Sequence, residues 1–308
     1  SRDTGGRTLS QVKSTGTRGG STVRLVRFGE RHNEKPGLLD LDGEIRDLSG
    51  VIEDINPDTL DLRALQRLKN IDPQSLPLVL APQRLGPCVG RPGKFVCIGL
   101  NYHDHAVETG LSPPSEPVVF MKAVSAISGP YDDIALLRGS RKSDWEVELG
   151  IVMGRRAHYI TPDQALDTIA GFCLINDLSE REWQIERGGN WSKGKSGDGY
   201  GPIGPWLVTS GEVSNPQAME LWLERNGETM QRGSTADMIF PVTELIAYLS
   251  QCMSLNVGDI IATGTPAGVG LGRKPPVFLQ DGDHLRLGIT GLGEQSYRVF
   301  ADNSVKGS

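Results

Sequence analysis

The 308-residue chain has little that would staple it, span a membrane or grip nucleic acid. Its four cysteines, Cys88, Cys97, Cys173 and Cys252, form neither a C-x-x-C pair nor a dense framework. That excludes a thiolate metal site and predicts buried free thiols in a reducing compartment. No apolar stretch approaches the roughly 18 to 20 residues a membrane helix needs, so no membrane contact and a cytoplasmic location are expected. Basic runs with interleaved aromatics are missing and the formal net charge is −6, so no nucleic-acid partner is expected and a small molecule is the default ligand. The five histidines include no His-x-x-x-His pair, which removes the usual nitrogen-and-sulfur zinc site.

Glycine and proline are abundant, with 39 and 19 residues. Together with 37% apolar and 23% charged residues, they describe a loop-rich globular protein with chain enough for two ordinary domains or one large one. Residues 1–22, rich in Ser, Thr, Gly and Arg, are expected to be a disordered arm or a leftover of expression. Strand patterns at 23–28, 37–41 and 44–48, the last two around the turn dipeptide Asp42-Gly43, open a small domain. Leu60, Leu62, Leu65 and Leu68 give 57–70 helical spacing, and a proline-rich connector over 73–92 places the boundary near Gly90.

The expected division is therefore 23–90, a small α+β domain with its connector, and 91–308, a larger β-rich one. In the latter, short strands are expected at 95–99, 118–122, 147–153, 171–175, 207–209, 221–225, 259–262 and 284–289. Helices are expected at 161–169, 179–187 and 242–251. The fold class is mixed and β-dominated, because strand and helix do not alternate as in a doubly wound sheet.

The richest stretch runs from Asp144 to Met153. Strand periodicity puts Asp144, Glu146 and Glu148 on one face. Carboxylates about 6.6 Å apart repel by roughly 2.5 kcal/mol at an effective dielectric near 20, a cost that a cation removes. A second apolar strand ends in Asn176-Asp177, and a carboxylate there beside Glu146 and Glu148 completes three oxygen ligands suited to Mg²⁺ or Mn²⁺.

Ser179-Glu180-Arg181-Glu182 has the capping-box spacing, with Ser179 as N-cap of a short helix that puts Arg181 and Gln184 on one face toward a substrate carboxylate. Asn101 is the expected cap of a helical turn ending before Gly110. His105 and Glu108 then stand three apart, and a carboxylate that fixes the imidazole tautomer suits proton abstraction from water. Each of these features also has an ordinary reading as a solvated helix face.

Gly189 to Ser196 matches the P-loop string letter for letter, but Gly and Pro follow it where a helix is required. A nucleotide-binding protein is thus a remote alternative. Gly268-Val269-Gly270-Leu271-Gly272 misses the dinucleotide fingerprint. Both are expected to be mobile loops over a site.

Ile98-Gly99-Leu100-Asn101-Tyr102, Phe120-Met121-Lys122, Asp144 through Gly150, Asn176-Asp177, Lys193 to Ser196, Gly204-Pro205-Trp206 and Thr263 to Pro266 together resemble the fumarylacetoacetate hydrolase family. The likeness is to its bacterial acylpyruvate or 2,4-diketo-3-deoxy sugar acid hydrolase-like branch, whose similar members are often labelled ureidoglycolate lyases or sugar-acid diketone hydrolases. The resemblance implies a distorted β-roll catalytic domain, a homodimer, and Mg²⁺ or Mn²⁺ on Glu146, Glu148 and Asp177. It implies catalytic roles for His105, Glu108, Lys122 and Lys195, and substrate contacts from Tyr102, Arg181, Gln184 and Thr265. The implied reaction is hydrolysis of the C3–C4 bond of a 2,4-dioxo acid, releasing pyruvate. Oxaloacetate decarboxylation and tautomerisation or isomerisation of a 2-oxo acid are the alternatives at the same site. An additional acidic ligand found in the animal namesake is replaced here by Asn101.

Overall fold

Val147 to Met153 is apolar on both faces apart from Glu148, the pattern of a strand with protein packed on each side. A computed structural model of the chain, describing residues 23–80 and 83–302, buries every residue of this strand. It pairs antiparallel with Ile169–Asn176 on one side and with Ile260–Ala262 on the other. These three form the middle of a nine-stranded sheet. From one edge the order is Ile45–Asp47, Lys35–Leu39, Arg24–Phe28, Leu207–Thr209, Ile169–Asn176, Val147–Met153, Ile260–Ala262, Phe95–Gly99 and Val118–Lys122. The strands ahead of residue 90 therefore share hydrogen bonds with those behind it, through Arg24 and Leu25 against Val208 and Leu207.

A second sheet runs Glu228–Ser234, Glu220–Arg225, His284–Ile289, Gly293–Ala301 and Ile134–Leu136. One core packs between the sheets, with Leu149 and Ile151 of the central strand in the same apolar cluster as Leu221, Leu223, Leu285 and Leu287. Gln231 bridges the two: its Oε1 accepts from the Val147 amide at 3.0 Å and its Nε2 donates to Thr265 Oγ1 at 2.8 Å. The architecture is mixed and strand-dominated. Among the described residues no helix is long and apolar enough to cross a membrane. Residues 1–22, the expected arm, lie outside the described residues.

Several local expectations give way. The helix over 57–70 is confined to Leu62–Lys69, because the Asp61 side chain caps it by accepting from Arg63 N and Ala64 N. Over 161–169 there is one α-turn, Pro162–Ala165, and a 3₁₀ turn, Leu166–Thr168, before Ile169 enters the sheet. Ser179 caps nothing. It and Glu180 pair as a short strand with Asp144 and Ser143, its hydroxyl donates to the Asp177 carbonyl, and only a π-turn, Glu182–Glu186, follows. The strands Glu228–Ser234 and Gly293–Ala301 carry too many polar residues to reveal themselves by alternation. Cys88, Cys97 and Cys173 are buried free thiols, but Cys252 ends a surface helix and is exposed.

Candidate active site

Register brings the acids together. Ile175 pairs with Glu148 and Asn176 with Val147, and the Asp177 amide donates to the Glu146 carbonyl at 2.9 Å. Glu146, Glu148 and Asp177 consequently offer carboxylate oxygens that all lie within 4.8 Å of one another. All three side chains are buried. At 4.8 Å and an effective dielectric near 20, each charged pair repels by about 3.5 kcal/mol.

Part of that repulsion is met from within the chain. Lys195 Nζ lies 3.0 Å from Glu146 Oε2 and 2.8 Å from Asp177 Oδ2. Lys122 Nζ donates to Asp177 and to the Leu178 carbonyl, and an Arg181 guanidinium nitrogen stands 2.8 Å from Glu146 Oε1. Burial pushes the Glu146 carboxyl up, but the charges of Lys195 and Arg181 outweigh it and hold Glu146 far below the usual carboxylate range. Glu148 differs. It takes a hydrogen bond from the Gly264 amide at 2.9 Å, and no ion pair to it exists among the described residues. Burial and the charges of Asp177 and Glu146 drive its carboxyl well upward. A buried carboxylate short of a cation, where two more carboxylates converge, fits a hard divalent ion with oxygen ligands.

Asp144, aligned with these acids in sequence, serves a different end. Its carboxylate accepts from Arg181 Nε at 2.9 Å and from the amides of Gly270 and Leu271 at 2.7 and 2.9 Å. Gly270 permits this approach: a Cβ there would lie 1.9 Å from the Val277 carbonyl oxygen and 2.8 Å from Asp144 Oδ1. The loop expected to be mobile over the site is thus tied down by buried hydrogen bonds.

His105 sits on the helix His103–Thr109, which ends at Gly110 in the left-handed conformation with φ 70°. Asn101 does not cap it. The Asn101 amide is buried, donating to the carbonyls of Phe240 and Thr263 and accepting from Phe240 N, while Tyr102 stands at the N-cap without a side-chain bond. His105 Nδ1 lies 3.0 Å from Glu108 Oε2. An ionised carboxylate only accepts, so Nδ1 carries the hydrogen and Nε2 is left as the base. The other Glu108 oxygen accepts from Gly268 N at 2.9 Å, anchoring the pair to the glycine loop.

His105, Glu146, Glu148, Arg181, Lys195 and Thr265 line one cavity of about 250 Å³. Gln184 lines it too, but its Oε1 accepts from Arg181 at 3.0 Å, so two nitrogens of the donor fork expected to meet a substrate carboxylate are taken by Asp144 and Gln184, while Nη2, 2.8 Å from Glu146, makes no hydrogen bond. The Thr265 hydroxyl donates to the Val147 carbonyl at 2.8 Å and accepts from Gln231. Lys122 lies behind Asp177, away from the cavity lining, and Tyr102 is fully buried with no hydrogen-bond partner for its hydroxyl. The P-loop string forms the short helix Trp191–Lys195 after a loop, with Lys195 turned into the carboxylates and Ser196 Oγ accepting from Ala123 N. Asp144 as the holder of Arg181 and Gln231 as a strut were not singled out beforehand. Asp144 carried a signal in its i, i+2 spacing to Glu146, whereas Gln231 had none.

The pattern of the fumarylacetoacetate (FAA) hydrolase C-terminal domain matches residues 94–300. The chain belongs to the fumarylacetoacetate hydrolase family. A Burkholderia ambifaria relative, whose name offers hydrolase and no substrate, is 57% identical over 274 residues, covering 89% of this chain and 97% of its own. The fumarylacetoacetate hydrolase of Exiguobacterium antarcticum superposes with a TM-score of 0.80 at 34% identity, over 91% of this chain and 100% of that one. Maleylpyruvate hydrolase of Sphingobium sp. SYK-6, solved with manganese(II) and pyruvate, gives a TM-score of 0.74 at 28% identity, over 90% and 99% of the two chains. The family includes hydrolases and isomerases, and this chain carries its fold with a buried acid trio suited to a divalent metal.

Proposed function

We propose that this protein hydrolyses the C3–C4 bond of a 2,4-dioxo acid, an acylpyruvate or a 2,4-diketo-3-deoxy sugar acid, to pyruvate and a second acid. Glu146, Glu148 and Asp177 would hold Mg²⁺ or Mn²⁺. The reading rests above all on the Nδ1-tethered imidazole of His105 facing the same cavity as Glu146 and Glu148. A divalent ion bound there supplies Lewis acidity toward a 2-oxo acid head group.

The remaining work belongs to the side chains. His105 Nε2 takes a proton from water as it attacks C4, and Glu108 holds the ring and steadies the positive charge it gains. Lys195 stays protonated, because Asp177 and Glu146 raise it against the effect of burial, and so balances negative charge at the floor. Water activation by such a pair favours hydrolysis over isomerisation at the same acids, whereas decarboxylation is separated from hydrolysis by the products. The Sphingobium complex, which holds both manganese and pyruvate, supports the choice of head group. A homodimer belongs to the same proposal, and sedimentation of the purified protein reads it.

The test is a panel of 2,4-dioxo acids and oxaloacetate assayed with Mg²⁺, with Mn²⁺ and with chelator. Stoichiometric pyruvate plus a second acid, lost with chelator, supports hydrolysis. Carbon dioxide, or an isomer formed without added water, rejects it.

A further inference from the structure

The carboxylate floor accounts for the head of a 2-oxo acid, but the rest of the cavity has a different chemistry. We infer that the acyl end of the substrate is uncharged and meets the protein through hydrocarbon, an inference that rests on the hydrolase reading of this cavity. The relevant cleavage is R–CO–CH₂–CO–COO⁻ + H₂O → R–COO⁻ + CH₃–CO–COO⁻ + H⁺, in which the C3–C4 bonding pair passes to C3 and is captured there by a proton. R is the group in question.

Both cationic side chains lining the cavity are held at the carboxylate floor. Arg181 donates to Asp144 and Gln184 and its Nη2, which makes no hydrogen bond, lies 2.8 Å from Glu146 at that floor, while Lys195 serves Glu146 and Asp177. Among the described lining residues no further lysine or arginine waits for a second substrate carboxylate. An ionised group placed there loses water without gaining a partner.

The wall above the floor is built from hydrocarbon and held in shape. Phe120 and Trp191 meet edge to face with centroids 5.4 Å apart, and Lys195 Nζ lies 5.0 Å from the Phe120 ring centre. Trp191 reaches this position because residue 99 is glycine: a Cβ there would come within 2.6 Å of the indole. The next residue, Leu100, lines the cavity from the left-handed region at φ 50°, a conformation a leucine rarely adopts. At the rim, Leu111 and Ile185 leave 53% and 50% of their surface in water, so a bound hydrocarbon would cover them. A volume of about 250 Å³ suits a pyruvyl head with a short acyl group.

The experiment uses the Mn²⁺-loaded enzyme with acetylpyruvate, butanoylpyruvate, hexanoylpyruvate and maleylpyruvate. The expected kcat/KM rises about threefold to fourfold per added methylene until the cavity fills, and maleylpyruvate falls at least tenfold below butanoylpyruvate. Leu111→Arg, at an exposed rim position that does not threaten folding, should shrink that gap by raising maleylpyruvate and lowering butanoylpyruvate. Equal or faster turnover of maleylpyruvate by the unaltered enzyme, or a flat chain-length series, overturns the inference. A binding arm compares thermal shifts with 2-oxohexanoate and 2-oxoadipate, equal in length and different only in the terminal carboxylate. A larger shift with 2-oxohexanoate supports the apolar wall even if no 2,4-dioxo acid is cleaved, in which case the hydrolase reading alone fails. A larger shift with 2-oxoadipate overturns the wall.

Discussion

Glu34, Asp40 and Asp132 also have side chains largely turned from water, though set less deeply than the acids of the site, and their titration moves opposite to that of Glu148. Arg84 meets Glu34 at 2.9 Å and grips both oxygens of Asp132 at 2.7 Å, while Arg46 meets Asp40 at 2.8 Å. Burial pushes all three carboxyls up, but these guanidinium contacts prevail and hold them below the ordinary range. Glu148 has the Gly264 amide and the more distant charge of Lys195 on one side and two carboxylate neighbours on the other, and burial and repulsion prevail and raise it. The cluster around Arg84 is complete within the chain and ties the first strands to the Asp132 turn. The trio is electrostatically incomplete and awaits charge from outside, a mark of a functional site rather than of a structural ion pair.

The strongest challenge to this contrast is Glu148→Gln, which keeps shape and removes charge. Loss of a ligand should lower kcat by about three orders of magnitude, since the stabilisation at stake is several kcal/mol, and calorimetry should show Mn²⁺ uptake lost or greatly weakened. The metal-free protein should nevertheless become more stable near neutral pH. A carboxyl with a raised folded pKa favours its protonated form, so its contribution to stability declines as pH climbs from the unfolded value near 4.3 through the folded one. Glutamine does not titrate and escapes that loss. A higher Tm without metal, combined with no gain from added Mn²⁺, is the expected pair of results; a lower metal-free Tm breaks the contrast.

His105→Ala separates chemistry from charge. With the proposed base gone, kcat should fall by about a hundredfold to ten-thousandfold, while Mn²⁺ should still bind because none of the three carboxylates proposed to hold it is altered. Near-normal turnover would remove His105 from the reaction. A lost metal site would instead show that the helix His103–Thr109 organises the trio.

Much of the site was legible because strands translate sequence into geometry with few choices. Period two put Glu146, just ahead of the strand Val147–Met153, beside Glu148, and the strand end at Asn176-Asp177 supplied the third acid, so one antiparallel pairing, extended by the Asp177 amide on the Glu146 carbonyl, joined them. The i, i+3 spacing of His105 and Glu108 likewise survived as a 3.0 Å contact. Local capping signals were less secure. Ser179 and Asn101 both have the chemistry of an N-cap, but each found a competing partner supplied by the fold: the Asp177 carbonyl for one, the Phe240 and Thr263 backbone for the other. The Gln231 strut and the Phe120–Trp191 wall depend on residues brought together from distant segments, for which one sequence holds no periodic signal.

A smaller effect is expected from Glu108→Gln, which retains an acceptor for Gly268 N but cannot hold the imidazole as a carboxylate does. The expected loss is about tenfold to a hundredfold in kcat, with unchanged Mn²⁺ affinity. A loss equal to that of His105→Ala would promote Glu108 from positioning the ring to an essential role. No loss would reduce the Glu108 contact to an anchor for the glycine loop.

The mildest test falls on the self-sufficient cluster. Arg84→Met removes the nearest partner of Glu34 and Asp132 at a side chain that is 26% exposed and leaves them Arg27 at 3.6 Å and Arg31 at 3.3 Å, so the cost should be about 2 kcal/mol, less than for a fully buried pair. That corresponds to a Tm lower by roughly 3 °C, with kcat unaffected. The pH dependence carries the sharper information. Glu34 and Asp132 have depressed folded pKa values, so their stabilisation is present above the unfolded values near 4 and is lost as pH falls through the folded ones. The Tm of the unaltered protein should therefore drop more steeply below about pH 4 than that of Arg84→Met. Parallel curves would mean that these carboxylates draw their low pKa from elsewhere, and the distinction between a completed and an incomplete acid cluster would lose its first half.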